Sequence, residues 1–180
     1  MATNTSLRIT RLQALIEHPR TGDAERAAAQ RMLERVLNKS RAGHGRGDRT
    51  YGVRHSRVGR HASLPRIADM IREDISLARV MFPASATAEQ LSVIDPIGDA
   101  PPGISFTVET SHDAGIDITI CRVPRDWGWD VEDGVESVSA ALRALSGELA
   151  EIMNGYNRDG SDIGKRFFAR VQVDGQTLEW

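Results

Sequence analysis

Residues able to ligate a metal or attack a substrate are few and scattered along this 180-residue chain. His44, His55, His61, His112 and Cys121 lack the short paired spacings in which zinc ligands recur. No serine or cysteine is spaced from a histidine so as to suggest an activated nucleophile. Asp113, Asp117 and Asp126 lie near an expected hairpin, where acid–base work is conceivable, but carboxylates in loops are ordinarily just solvated. Gly43, Gly45 and Gly47 alternate as in a phosphate-cradling turn, yet no strand precedes them, and a P-loop is absent. Arg46-Gly47-Asp48 matches an adhesion tripeptide, which chance explains in a chain read as cytosolic. The residues therefore suggest no catalytic group, no metal and no cofactor.

The chemistry that does stand out is phosphate contact. Residues 39–61, KSRAGHGRGDRTYGVRHSRVGRH, hold seven Lys or Arg, three His and a single acid, Asp48. Arg46, Arg49, Arg54, Arg57 and Arg60 are spaced as on an extended arm, with Lys39 and Arg41 leading into it. Mobile cations of this kind grip nucleic-acid phosphates without reading sequence, and Tyr51 and the histidines can stack on bases. The competing expectation is a solvated linker, or a strip that docks on the chain's own acidic half. That half exists. Residues 1–72 carry 15 Lys and Arg against 6 Asp and Glu, a net of +9, and residues 73–180 carry 8 against 19, a net of −11. A split of this size is a reason to expect an anionic partner or internal neutralisation.

Two further stretches could meet a partner. In DWGWD, Trp127 and Trp129 sit between Asp126 and Asp130, and a loop tryptophan often anchors a protein interface. Both can equally bury their rings at the edge of the core. In GYNRDGSD, Tyr156, Asn157, Asp159 and Ser161 can line a polar pocket, or simply close a capping turn through bonds to local backbone.

The elements that must hold these residues are legible from periodicity. Leu7, Leu12, Leu15 and Ile16 predict a helix capped by Thr5 or Ser6 and broken at Pro19. Residues 23–38 predict a second, alanine-rich helix with Met32, Leu33, Val36 and Leu37 as its apolar stripe. Ser63 and Pro65 open a third, with Leu64, Ile67, Ala68, Ile71, Ile75 and Ala78 inward and Arg66, Asp69, Arg72, Glu73 and Arg79 in solvent. Residues 84–103 read as a connector. Ile104, Phe106 and Val108, then Ile116, Ile118 and Ile120, alternate with polar residues as two half-buried strands. A long helix is expected from about residue 132, with Val135, Val138, Leu142, Leu145, Leu149 and Ile152 as one seam. Residues 167–174 predict a third strand, followed by the turn signal Asp174-Gly175.

The fold class is thus α+β. A helical hairpin (1–38) and a basic glycine-rich linker (39–62) precede an α-β-β-α-β domain (63–180). Its small, mainly antiparallel sheet is covered by helices on one face. That order resembles one type of KH domain, but no Gly-x-x-Gly occurs in the chain. No long apolar run suggests a membrane span, and the N-terminus lacks the apolar core of a signal peptide. With Cys121 as the lone cysteine, a reducing cytosol fits best. The seam can be buried internally, so a homodimer is allowed but not required.

Three stretches together resemble one of the large polyvalent protein-associated domains of phages and plasmids. They are SLPRIADMIREDISLA with YG twelve residues ahead, ISFTVETSHDAGIDITI, and NGYNRDGSDIGKRFFARVQVD, so the resemblance spans residues 51–174. The hairpin is similar to a phage helical domain with a leucine helix, a break and ERAAA. The resemblance implies an accessory protein of a phage or mobile element; a non-enzymatic binding role is the first expectation, and a nucleic-acid-binding module using residues 39–66 or an enzyme with an unrecognised site are the alternatives. Such a protein would work in the host cytosol by binding a host factor or nucleic acid, in host takeover or anti-defence. It assigns no catalytic residue.

Overall fold

A computed structural model describes residues 2–42, 62–81, 95–112, 114–157 and 165–180. The chain is α+β. Helices α1 (Ala2–Glu17) and α2 (Asp23–Ala42) form the hairpin, and α3 (Leu64–Met81) follows. Then come β1 (Ser105–Ser111), β2 (Gly115–Cys121), the single-turn α4 (Arg125–Gly128), β3 (Trp129–Glu132) and β4 (Val135–Val138). Helix α5 (Ala140–Asn154), β5 (Phe168–Val173) and β6 (Gln176–Glu179) complete the order.

The main sheet has strand order β1-β2-β5-β6. β1 and β2 are antiparallel, with Val108 opposite Ile118, and β5 and β6 are antiparallel. β2 and β5 are parallel, so the chain crosses over through α5 between them. Period-two alternation puts Val108, Ile116, Ile118, Ile120, Ala169, Val171 and Val173 on one buried face, against α3 and α5. On the other face Arg170 grips Asp117 through both carboxylate oxygens, and Gln172 bonds Thr119.

Five expectations need correction. The long helix does not start near residue 132: Asp133 and Gly134 both adopt left-handed φ (51° and 77°), as the two-residue turn of a hairpin requires. Val135 and Val138 therefore lie on β4, and α5 begins only at Ala140, where the Ser139 hydroxyl accepts from Leu142 N at 3.1 Å. The second Asp-Gly pair, Asp174-Gly175, makes the same turn and adds β6 as a fourth strand. At the front of the chain, α2 continues through Ala42, so residues 39–42 are helix rather than linker, and Thr5 and Ser6 lie inside α1 rather than capping it. Finally, the expected connector includes a built turn. Asp95, Ile97, Ala100 and Ile104 are buried, and the Asp95 carboxylate accepts from Ile97 N and Gly98 N at 3.0 Å.

The hairpin shares the core of the α+β part. Leu12, Ala28, Ala29, Met32 and Val36 belong to the same buried cluster as Ile67 and Ile71 of α3 and Leu142, Leu145 and Leu149 of α5. An αα-hairpin this short has too little apolar surface to stand alone, so docking on α3 provides burial it cannot supply itself.

Candidate functional site

The densest polar cluster among the described residues sits where the hairpin meets the rest. Arg31 and Arg35 are four apart on α2, hence on one helix face. Both reach Asp74 of α3. Arg31 Nε donates to one carboxylate oxygen at 2.9 Å, and an Arg35 amino group donates to the other at 2.5 Å. The Tyr156 hydroxyl, just past α5, donates to Asp74 at 2.7 Å. Arg31 also bonds Glu73 at 2.9 Å. Asp74 has no exposed surface. Burial, and then the Asp74 charge, push the Tyr156 phenol well above its usual range, although both arginines pull the other way. The Arg31 guanidinium is held more firmly charged than usual, because Asp74 and Glu73 outweigh its desolvation. A saturated, inaccessible carboxylate beside a phenol that keeps its proton cannot serve as acid or base. Its work is to lock α2, α3 and the end of α5 together.

A second charged seam runs alongside. Arg8 of α1 donates to Asp95 at 2.7 Å and lies 3.6 Å from Glu148 of α5. Lys39 Nζ donates to Glu151 at 2.7 Å, with Glu148 at 3.6 Å. Desolvation works against the Lys39 charge, but the two glutamates win and raise its pKa. Burial raises the Asp95 pKa despite Arg8 and the turn amides. These groups enclose a cavity of about 30 Å³, room for one water. Nearby, Arg79 is not in solvent as expected. It donates to the carbonyls of Ile97, Ala100, Pro101 and Ile104 and so knits the 95–104 turn to α3.

Of the residues expected to touch nucleic acid, Lys39 lies near the C-terminal end of α2, engaged with Glu151, and Arg41 lies in its last turn. Arg46, Arg49, Tyr51, Arg54, Arg57 and Arg60 lie outside the described residues, as does Asp159. Tyr156 and Asn157 are interior and present no surface to a partner. Asn157 instead closes a loop: its carbonyl accepts from Arg166 N and its side-chain oxygen from Phe167 N. Trp127 and Trp129 are half-buried against the core, on α4 and β3. Arg125 stacks 5.2 Å from the centre of the Trp129 ring and pairs with Glu136 at 2.6 Å. The ribbon they support reaches outward, with Asp130 to Ser137 exposed.

Sequence reasoning missed Asp74, Arg31, Arg35, Arg8 and Asp95. Asp74 had a signal: it falls three residues after Ile71 and four after Met70, on the buried stripe of α3. A charge in that position must find a partner or be neutralised. Asp95 and Arg8 had none, because their meeting joins residues 87 apart in the chain.

Among the described residues, no three His, Cys, Asp or Glu side chains converge as a metal site would need, and no helix is long and apolar enough to cross a membrane. No protein-family model, curated protein or solved structure matches the chain.

Proposed function

We propose that this chain is a non-enzymatic nucleic-acid-binding accessory protein that uses the basic segment 39–66, with Lys39 itself kept to the internal seam. One observation carries the reading. Four cations of the hairpin, Arg8, Arg31, Arg35 and Lys39, are matched by carboxylates of the acidic half, Glu73, Asp74, Asp95, Glu148 and Glu151. The internal demand for positive charge at that seam is met before the arm begins. Residues 43–61 then add five arginines and one acid. The arm leaves from α2 and returns at Ala62, whose carbonyl accepts from Arg166 at 3.0 Å. The phage or plasmid setting rests on the resemblance across residues 51–174, and there such contact would serve host takeover or anti-defence.

The test is binding to single- and double-stranded DNA and RNA at two salt concentrations. Five phosphate contacts give an affinity that falls about 500-fold between ~50 and ~200 mM salt. Replacing Arg46, Arg49, Arg54, Arg57 and Arg60 by alanine removes most of that slope and leaves the melting temperature unchanged. No binding at ~50 mM salt, together with a lower-melting quintuple variant, would mean instead that the arginines hold the chain's own acidic half.

A further inference from the structure

The β3–β4 ribbon is the least protected element among the described residues. It is a two-stranded sheet whose residues Asp130 to Ser137 are all exposed, a unit that is marginal without further packing. Its root is built. Gly128 packs so closely that a Cβ would meet Val123 Cγ1 at 2.5 Å and Leu142 at 3.4 Å, and the Ser139 hydroxyl donates to the Trp127 carbonyl at 2.7 Å. Beyond this root, Val131 and Val135 are each 68% exposed, two of the five large apolar side chains left in solvent among the described residues. Apolar side chains on an open strand edge are a liability that proteins normally avoid unless something covers them.

The register says which backbone groups are open. Ser139 N donates to Gly128 O at 3.0 Å, so hydrogen-bonded pairs alternate outward as Asp130–Ser137 and Glu132–Val135. The intervening Val131 therefore turns its N–H and C=O away from β4. Trp129 N already donates to Arg125 O, so the open edge of β3 centres on Val131. Asp130 and Glu132 flank Val131 on the opposite face, and neither enters a described ion pair. On β4, by contrast, Glu136 is taken by Arg125.

We infer that the β3 edge accepts an extended segment of another protein in which β-branched residues alternate with Lys or Arg. Such a strand would pair its backbone with Val131, set an apolar side chain beside it, and place cations beside Asp130 and Glu132. Charge complementarity selects the partner: with Glu136 paired to Arg125, residues 126–136 still offer four carboxylates, Asp126, Asp130, Glu132 and Asp133, and no cation. This surface would serve a protein ligand whether or not the basic segment binds nucleic acid.

The test titrates the full-length protein with an alternating Lys–Val peptide and with its Glu–Val counterpart, by calorimetry at ~50 mM salt. Binding of the Lys–Val peptide alone is expected, weakening as salt rises. Val131→Pro removes only an outward-facing N–H, which an edge strand tolerates. It should weaken binding about tenfold or more, as should Asp130→Lys with Glu132→Lys. Should Val131→Pro fail to fold, exchange of the Val131 amide in the wild type gives the same answer, because a paired strand protects it. Absence of binding would overturn the inference, as would an unprotected Val131 amide or full binding by folded Val131→Pro. A concentration-dependent dimer abolished by Val131→Pro would also overturn it, by assigning the edge to a second copy of this chain.

Discussion

Replacing Asp74 by alanine tests how the hairpin is held to the rest of the chain. The Asp74 carboxylate is fully buried and receives Arg31, Arg35 and the Tyr156 hydroxyl. The Arg31 side chain is 8% exposed, so without Asp74 it keeps a charge in a dry site with Glu73 as its remaining partner. Breaking a buried pair from one side costs about 3–5 kcal/mol. Glu73 is 30% exposed and still compensates part of the charge, so the low end applies, about 3 kcal/mol. In a chain of this length that lowers Tm by about 6–12 °C. Tyr156→Phe, which leaves both arginines on Asp74, should cost about 1.5 kcal/mol. Urea unfolding followed by circular dichroism reads both. A double-mutant cycle with Arg31→Ala should show a coupling of about 1–3 kcal/mol, since the second change removes a charge the first has orphaned. A loss below ~1 kcal/mol for Asp74→Ala, or additivity within ~0.5 kcal/mol, would refute the account of this cluster as the lock between halves.

Other outcomes follow from single positions. The folded state holds the Tyr156 proton more tightly than the unfolded chain does. The stability this gives is complete below the usual phenol pKa of 10.0 and is lost as pH rises past it. In Tyr51→Phe, where Tyr156 is the remaining tyrosine, phenolate absorbance should appear only as the circular dichroism signal collapses. Gly134→Ala and Gly147→Ala should have opposite signs in urea melts. Gly134 sits at φ +77° with open space around it, so a Cβ there costs about 1–2 kcal/mol through the backbone alone. Gly147 lies within α5 with nothing near its Cβ position, and alanine there should add up to about 1 kcal/mol. Leu145→Ala, at a fully buried position of the α5 seam, should cost about 2–5 kcal/mol. Deleting residues 1–42 should lower the melting temperature of the remainder, because it uncovers α3 and strips Asp74 and Asp95 of their arginines.

Local pattern carried far in this chain. Alternation at 104–108 and 116–120 marks two strands because period two follows from the backbone alone, and Pro19 ends α1 for equally local reasons. The long α5 seam shows where a short-range signal can mislead. Val135 and Val138 continue its spacing, but Asp133-Gly134 beside them is a hairpin turn, and glycine at positive φ decides for strand. Read alongside Asp174-Gly175, the same dipeptide could have placed both hairpins.

The sequence by itself determined the α+β class, the α1–α2 hairpin, the buried seam of α5 from Leu142 to Ile152 and the division of charge between the two halves. These depend on side-chain period, capping residues and composition, which act over a few residues. Tertiary structure alone decided how that charge is spent. Arg8 meets Asp95, Arg31 and Arg35 meet Asp74, and Lys39 meets Glu151 across separations of 39 to 112 residues. No periodicity encodes such pairings. They arise because docking the apolar stripe of α2 on α3 carries the arginines into a site that only a carboxylate can make tolerable.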